Sequence, residues 1–373
     1  MTPSRRLVKV LMGMAMSVCM VGIGQAALYA HGARQAQVAG PPDTTEPVHA
    51  VHPVPPSPAS TWRTPATFLP PTSSPSKASR PRSTTRPGPA LPSTEQVPLQ
   101  AGTQGRLHYL RSNGLTRSYL AVQASNPSKQ ALPVVVVLHG SNVSPELEEQ
   151  RTDFYPLGVG GRAVLVYPTG YAKSWNAGQH CCGLAEATGV DDVAFVRAVV
   201  GDAMRHYRID PRRIYLVGYS NGGKMALRIA CSGPTPFAAV AAYGAVPLTA
   251  CASGTPLPVM LAASIGDTEI PYSVPGTVAV NGAQLPSVTQ AVSTLLVRNG
   301  CSSTHHLVVE GNGTVSVRTW SSCRSGKPVQ LVTYPGGSHS WPGLTMAVPV
   351  PFAAVVAVPV QGLMWQFLSP LRH

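Results

Sequence analysis

Short apolar runs rich in valine, isoleucine and leucine recur along much of the chain. They cover residues 134–138, 164–167, 214–217, 238–243, 259–261 and 329–334. Runs of this length and composition are typical of strands buried on both faces of a sheet. Before these runs, Asn113-Gly114 lies between two further candidate strands, residues 105–112 and 116–124. Both of these residues tolerate positive φ, so the sequence predicts an antiparallel hairpin at the start of the sheet.

Helical periodicity occurs between the predicted strands, most clearly over residues 191–207. Apolar side chains recur there on one face, at Phe195, Val196, Val199, Val200, Ala203, Met204 and Tyr207. Asp191 or Asp192 can cap the free amides at the helix start. Strands that alternate with helices predict an α/β fold, with a mostly parallel central sheet, helices on both faces and an antiparallel hairpin at its N-terminal end.

The first 26 residues have the pattern of an export signal. Arg5, Arg6 and Lys9 precede an uncharged stretch from 10 to 24, and residues 24–26 (Gly-Gln-Ala) offer a small-x-small cleavage site. We therefore expect a signal peptide over 1–26 and a secreted protein, extracellular or periplasmic. An uncleaved anchor is the alternative, because no charge follows until Arg34 and about 20 apolar residues can span a bilayer. A membrane contact is expected only in that case.

Residues 27–100 are predicted to form a disordered linker. Between 41 and 100, 16 of 60 residues are Pro and 17 are Ser or Thr, a composition that cannot offset the entropy of ordering the backbone. A spacer and a simple tail are both open interpretations. The net charge is +13, but the basic residues of the linker are sparse and unmixed with aromatics, which argues against a nucleic-acid partner. Residues 101–373 remain as one domain.

Candidate chemistry begins at Gly218-Tyr219-Ser220-Asn221-Gly222, between a predicted strand and a predicted helix. A sharp strand-to-helix turn needs glycines beside the serine, and it places the hydroxyl at the carboxyl edge of the sheet. Ser220 is therefore the predicted nucleophile. The amide of Asn221, at the helix start, is the first predicted donor to an oxyanion.

A serine nucleophile needs a base, and the base needs a carboxylate that orients it. In an α/β-hydrolase these follow the serine in the order acid, then histidine. Asp267 and His339 occur in that order, each in a loop after a predicted strand, where open parallel sheets bind ligands. They are the predicted acid and base, and Glu269 is the alternative acid.

Other residues have predicted roles around this triad. The loop 139–142 follows the first central strand, where this fold class supplies a second oxyanion amide, here that of Ser141. His139 is expected to be structural. Trp175 and Trp341 are candidate walls of an acyl or aromatic pocket, with rim packing as the alternative.

The residues from about 105 to 370 resemble the secreted esterases grouped as polyhydroxybutyrate depolymerases and feruloyl esterases. The motifs that carry the resemblance are Val137-Leu138-His139-Gly140, Tyr167-Pro168-Thr169-Gly170, Trp175-Asn176, Cys181-Cys182, Val190-Asp191-Asp192-Val193, Asp210-Pro211-Arg212-Arg213, the serine turn, Asp267 with Pro271-Tyr272, Asn299-Gly300-Cys301 and the segment 337–343. The resemblance implies an α/β-hydrolase that cleaves short-chain hydroxyalkanoate or hydroxycinnamoyl esters. Ser264-Ile265 stand where the family usually has His-Gly, and Lys224 replaces a usual methionine.

Six cysteines follow the signal segment, and an even set in an exported chain favours disulfides. Cys301–Cys323 would clamp a predicted hairpin, and Cys231–Cys251 would tie the nucleophile helix to the next strand. By elimination, Cys181 and Cys182 would form the third disulfide. A zinc site at His180-Cys181-Cys182 is the alternative, but no second ligand pair with zinc-like spacing occurs.

Together these features predict a secreted serine esterase that acts on an ester substrate, small or polymeric, with no cofactor and no metal. Two other classes stay open. A serine peptidase of the α/β-hydrolase class would share the serine turn, although the propeller domain of the prolyl-oligopeptidase type is not seen. A binding module held on a stalk would have an inert triad.

Overall fold

The computed structural model describes residues 90–99, 104–127, 129–251, 253–274, 276–277, 284–311, 313–343 and 358–373. The predicted signal segment 1–26 and the predicted linker up to residue 89 lie outside the described residues.

The described residues form thirteen strands and seven α-helices. The strands are β1 (Glu95–Pro98), β2 (Gln104–Ser112), β3 (Leu115–Val122), β4 (Leu132–Leu138), β5 (Val164–Pro168), β6 (Ile209–Tyr219), β7 (Ala239–Tyr243), β8 (Val259–Ser264), β9 (Gly276–Thr277), β10 (Gln284–Leu285), β11 (His306–Glu310), β12 (Val315–Trp320) and β13 (Val329–Tyr334). The helices are α1 (Pro145–Thr152), α2 (Tyr155–Val159), α3 (Gly183–Ala187), α4 (Asp192–His206), α5 (Asn221–Cys231), α6 (Val288–Asn299) and α7 (Val360–Leu368).

Eleven strands form one sheet in the order β1-β2-β3-β5-β4-β6-β7-β8-β13-β12-β11. The six central strands β5, β4, β6, β7, β8 and β13 are parallel to their neighbours among the six. The strands at both ends pair antiparallel. The predicted α/β fold with a mostly parallel sheet and an N-terminal antiparallel hairpin is confirmed.

Apolar side chains fill the space between the sheet and the helices on both of its faces. One cluster includes residues of α4, α5 and α6, such as Phe195, Met225 and Leu295. The other includes residues of α2 and α7, such as Leu157 and Phe367. Central strands are therefore buried on both sides, which is why they have continuous apolar sequences rather than alternating ones.

The N-terminal edge differs from the sequence expectation in one respect. The sequence predicts residues 95–98 as linker, yet they form β1, which pairs with β2 from Glu95 opposite Leu107 to Pro98 opposite Gln104. Leu99, next in the chain, is only 9% exposed and belongs to the core. Burial of this leucine and the strand pairing order a segment whose composition alone suggested linker.

The turn between β2 and β3 matches its prediction. Asn113 and Gly114 have φ values of 48° and 79°, as a two-residue hairpin turn requires. In α4, Asp191 is the N-cap and its carboxylate accepts from the amide of Ala194 at 2.9 Å. Met204, expected on the apolar face of this helix, is instead 40% exposed.

Within the described ranges, none of the helices combines the length and the apolar composition needed to cross a bilayer.

Candidate active site

Strand register brings four loops to the carboxyl edge of the sheet. Leu138 pairs with Gly218, so the loop after β4 lies beside the residue that follows β6. Tyr334 pairs with Ser264, so the loops after β13 and β8 leave the sheet side by side. This arrangement gathers the predicted nucleophile, acid and base from distant parts of the chain.

Ser220 occupies the sharp turn between β6 and α5. Its backbone has φ 52° and ψ −118°, a conformation that a non-glycine residue rarely adopts. A Cβ at Gly218 would lie 2.3 Å from the Gly222 carbonyl oxygen, and one at Gly222 would lie 2.2 Å from the Leu138 oxygen. The two glycines are therefore required by close backbone contacts, and the turn lifts the serine side chain out of the sheet.

A hydrogen-bond chain joins the three predicted triad residues. His339 Nε2 lies 2.7 Å from Ser220 Oγ, and His339 Nδ1 lies 2.8 Å from Asp267 Oδ2. The other carboxylate oxygen, Asp267 Oδ1, accepts from the amides of Glu269 at 2.8 Å and Ile270 at 3.0 Å. Burial acts to raise the pKa of Asp267, but the His339 hydrogen bond and charge and these two amides outweigh burial and lower it. The carboxylate is therefore ionised where it meets the imidazole.

Glu269, the alternative acid, has a different relation to the imidazole. Its Oε2 lies 3.4 Å from His339 Nε2, and its side chain is 65% exposed. It therefore approaches the nitrogen that faces Ser220 rather than the nitrogen that an orienting acid would hold.

The loop after β4 lies against Ser220, the predicted nucleophile. A Cβ at Gly140 would be 3.6 Å from Ser220 Cβ. His139 fixes this loop, because its Nε2 accepts from the Gly170 amide at 2.9 Å and its Nδ1 lies 2.7 Å from the Gly140 oxygen. Burial is the main reason that the pKa of His139 falls to about 4, so this ring is a neutral structural element. Ser141 follows at the exposed end of the loop.

The Asn221 side chain has a role that the sequence did not indicate. Its Oδ1 accepts from the Trp175 amide at 2.8 Å, and its Nδ2 donates to the Trp175 oxygen at 3.0 Å. Asn221 is 1% exposed. These two hydrogen bonds fix the start of α5 against the loop that carries Trp175 and leads to Cys181 and Cys182.

The two tryptophans proposed as pocket walls are core residues. Trp175 is fully buried, stacks on Phe195 and donates from Nε1 to the His139 oxygen at 2.9 Å. Trp341 is 2% exposed, with its ring 5.9 Å from that of Tyr219 and 5.6 Å from that of Tyr243. Their packing supports the loops that carry His139 and His339, and it corrects the expectation that they wall an acyl pocket.

Tyr219 is a further residue that sequence reasoning missed. Its hydroxyl donates to the backbone oxygen of His339, and its ring lies 5.5 Å from the imidazole. The tyrosine precedes the nucleophile directly, but only the register of the sheet reveals that it reaches the base. It ties the backbone of His339 to β6, the strand that leads to Ser220.

The two departures from the family pattern both lie close to the acid. Ser264 is buried and its Oγ lies 2.8 Å from the Tyr243 hydroxyl, whereas Ile265 is 51% exposed. Lys224, in the first turn of α5, is 8% exposed. Burial lowers the pKa of Lys224, although the charges of Glu269 and Asp267 act to raise it.

Three disulfides join Cys181–Cys182, Cys231–Cys251 and Cys301–Cys323. The second and third are the pairs favoured from the sequence, and Cys181–Cys182 is the pair that elimination left. Because Cys181 and Cys182 are bonded to each other, neither offers the thiolate that the alternative zinc site at His180 required.

The fold, the strained serine turn and the order of its loop residues define an α/β-hydrolase. Residues 118–292 match the profile of the family described as Esterase PHB depolymerase. The protein named Putative esterase NocK, from Nocardia uniformis subsp. tsuyamanensis, is 30% identical over 253 residues, 62% of this chain and 72% of that protein. The chain belongs to the polyhydroxybutyrate depolymerase and feruloyl esterase family, and it is a carboxylic ester hydrolase.

Other relatives are matched over less of their length. Feruloyl esterase D of Neurospora crassa is 28% identical over 50% of this chain and 56% of its own. Feruloyl esterase B of Piromyces equi is 24% identical over 57% of this chain and 40% of its own. The chain thus spans less than two thirds of each feruloyl esterase. Among solved structures, an acetyl xylan esterase from Aspergillus awamori aligns with a TM-score of 0.47 and 14% identity, over 63% of this chain and 94% of that one.

Proposed function

We propose that this protein is a secreted serine esterase that hydrolyses short-chain hydroxyalkanoate or hydroxycinnamoyl esters through an acyl-serine intermediate. The observation that carries the proposal is the hydrogen-bond chain from Ser220 through His339 to Asp267.

The chain of hydrogen bonds supports the following sequence of steps. Ser220 Oγ bonds to the ester carbonyl carbon while its proton passes to His339 Nε2. The carbonyl oxygen becomes an oxyanion, held by the amides of Asn221 and Ser141. The intermediate collapses by breaking the bond to the alcohol oxygen, which takes the proton from His339. Water then repeats the sequence on the acyl-serine and releases the acid, while Asp267 keeps the imidazole oriented throughout.

The disulfides support export. All six cysteines after residue 100 are paired, and disulfides persist mainly in oxidising compartments. In this proposal residues 1–26 direct secretion, and the residues that follow up to β1 hold the catalytic domain on a Pro/Ser/Thr-rich spacer.

Substrate turnover tests the proposal. The full chain is assayed on methyl ferulate, a 3-hydroxybutyrate oligomer, and p-nitrophenyl acetate and butyrate, beside Ser220→Ala. We expect the variant to keep its melting temperature and to lose at least about a thousandfold in kcat/KM. The matched control is Ser232→Ala, at the opposite end of α5, which should keep full turnover.

Each outcome has a defined meaning. The preferred ester identifies the acyl class. Retention of more than a few per cent of turnover in Ser220→Ala contradicts the acyl-serine mechanism. Cleavage of peptides in preference to esters indicates the peptidase class. A folded wild-type protein that neither turns over the panel nor reacts with a fluorophosphonate probe indicates a binding module.

A further inference from the structure

A cluster of metal-binding side chains lies where β2 packs against α4, on elements that carry none of the triad residues. His108 on β2 and Asp202 and His206 on α4 each present one ligand atom, and these three atoms lie within 4.8 Å of one another. Asp202 and His206 are four residues apart, so they share one face of the helix. The proposed esterase mechanism uses none of the three.

His108 has the hydrogen bonding of a metal ligand. The side chain is 4% exposed, its Nε2 lies 2.7 Å from the Tyr207 hydroxyl, and its Nδ1 is buried without a hydrogen-bond partner. A proton on Nε2, donated to Tyr207, leaves the Nδ1 lone pair for a metal. Metal-binding histidines characteristically use their second nitrogen in this way.

Asp202 supplies the negative charge of the cluster. Its Oδ2 accepts from the Tyr119 hydroxyl at 2.7 Å and lies 3.5 Å from His206 Nε2, while its Oδ1 is bonded by Arg205. Because the Arg205 pairing is on Oδ1, Oδ2 can turn toward an ion between the two imidazoles.

His206 gives solvent access to the cluster. Its side chain is 45% exposed, so an ion can enter from solvent and keep water as a ligand. Two imidazoles and one carboxylate with an open position suit zinc or a similar transition metal, whereas calcium and magnesium prefer oxygen ligands.

We propose that His108, Asp202 and His206 form a binding site for a divalent transition metal of the zinc type, which ties the end of α4 to β2. The sequence predicted no metal, because the strand ligand and the helix ligands are far apart in the chain and only the α4–β2 packing brings them together. The site is independent of the esterase proposal.

Cobalt binding provides a direct test. The full chain, without a histidine tag and treated with chelator, is titrated with Co²⁺ and the visible ligand-field absorption is recorded. We expect about one Co²⁺ per chain, displaced by Zn²⁺, and a melting temperature that rises with added Zn²⁺. His206→Ala should weaken binding at least about tenfold, and Asp202→Asn should do the same. Because His206 is partly exposed, its loss should leave the fold intact.

The control is His306→Ala, an exposed histidine on β11 outside the cluster, which should leave binding unchanged. Absence of Co²⁺ absorption, or equal loss of binding in His206→Ala and His306→Ala, overturns the proposal. The readout is metal binding without substrate, so it does not depend on esterase activity.

Discussion

Asp267 contacts His339 on the side of the ring away from the nucleophile, with Oδ2 2.8 Å from Nδ1. A carboxylate at Nδ1 accepts a hydrogen bond from the N–H there, which leaves the Nε2 lone pair free to take the proton of Ser220. Glu269 lies nearer to Nε2, at 3.4 Å, and cannot set that tautomer. The geometry therefore favours Asp267 as the orienting acid.

Replacing the acid tests this assignment. Asp267→Asn keeps the size of the side chain but removes the charge that stabilises the imidazolium, so we expect kcat to fall on the order of 10⁴-fold, as in the serine protease triad from which this magnitude is taken. Glu269→Gln is the matched control and should change kcat less than about tenfold, because that side chain is mostly exposed. Steady-state kinetics on the preferred ester measure both. A larger loss in the Glu269 variant would reverse the assignment.

A buried carboxyl in α1 should make stability depend on pH. Glu148 is fully buried, and burial raises its pKa from 4.5 to about 8, although Arg151 and the Gly140 amide act to lower it. Between these two pH values the unfolded chain has lost a proton that the folded chain keeps. The free energy of unfolding therefore falls as pH rises through this window, by up to about 1.4 kcal/mol per pH unit.

Glu148→Gln removes this titration. Denaturant unfolding at pH 5 and pH 8 should show the variant gaining stability relative to wild type at the higher pH. Glu146→Gln, in the first turn of the same helix, is the control and should show no such gain. A difference between wild type and Glu148→Gln that is the same at both pH values would contradict the prediction.

The sequence predicted most of the sheet and the order of the triad, because buried strands have continuous apolar runs and the serine turn needs its glycines. It missed features that depend on distant contacts. Burial of Leu99 is decided by the strand beside it, and the contact of Tyr219 with His339 by the register of β6. Trp175 is held by backbone hydrogen bonds to Asn221 and by side-chain contacts with Phe195 and His139, all distant in the chain. A tryptophan in a loop has the same sequence pattern whether it lines a pocket or fills the core, so pattern alone could not decide its place.

A buried ion pair should be important for stability near the vicinal cysteines. Arg117 donates to Asp192 at 2.8 Å, both side chains are buried, and the guanidinium lies 3.8 Å over the Phe195 ring. Asp192 Oδ2 also accepts from the Asn176 amide at 2.8 Å. Asp192→Ala leaves an uncompensated buried cation, so we expect a loss of about 3–5 kcal/mol.

Thermal and denaturant unfolding measure this loss. Asp191→Ala, which removes the neighbouring N-cap, is the control and should cost only about 1 kcal/mol. Adding Arg117→Met to Asp192→Ala should recover part of the loss, because it removes the unpaired charge. If the losses in unfolding free energy simply add, so that the double variant is less stable than Asp192→Ala by the cost of Arg117→Met alone, the pair does not act as a unit.

The two disulfides that join residues distant in the chain allow a comparison of chain entropy with local contacts. Cys231–Cys251 and Cys301–Cys323 have sequence separations of 20 and 22, so the loop-entropy model predicts a loss of about 3 kcal/mol for removing either one. Cys251 has an additional partner, because Arg298 Nη1 lies 3.6 Å from its sulfur and also donates to the Ala230 oxygen. Arg298 is 2% exposed, and loosening its surroundings leaves a buried cation with fewer partners.

We therefore expect Cys231→Ser/Cys251→Ser to lower the free energy of unfolding by more than Cys301→Ser/Cys323→Ser does. Denaturant unfolding of both double variants under oxidising conditions gives the two losses. Equal losses would mean that chain entropy alone accounts for both bridges. A greater loss for the Cys301–Cys323 pair would contradict the role given to Arg298.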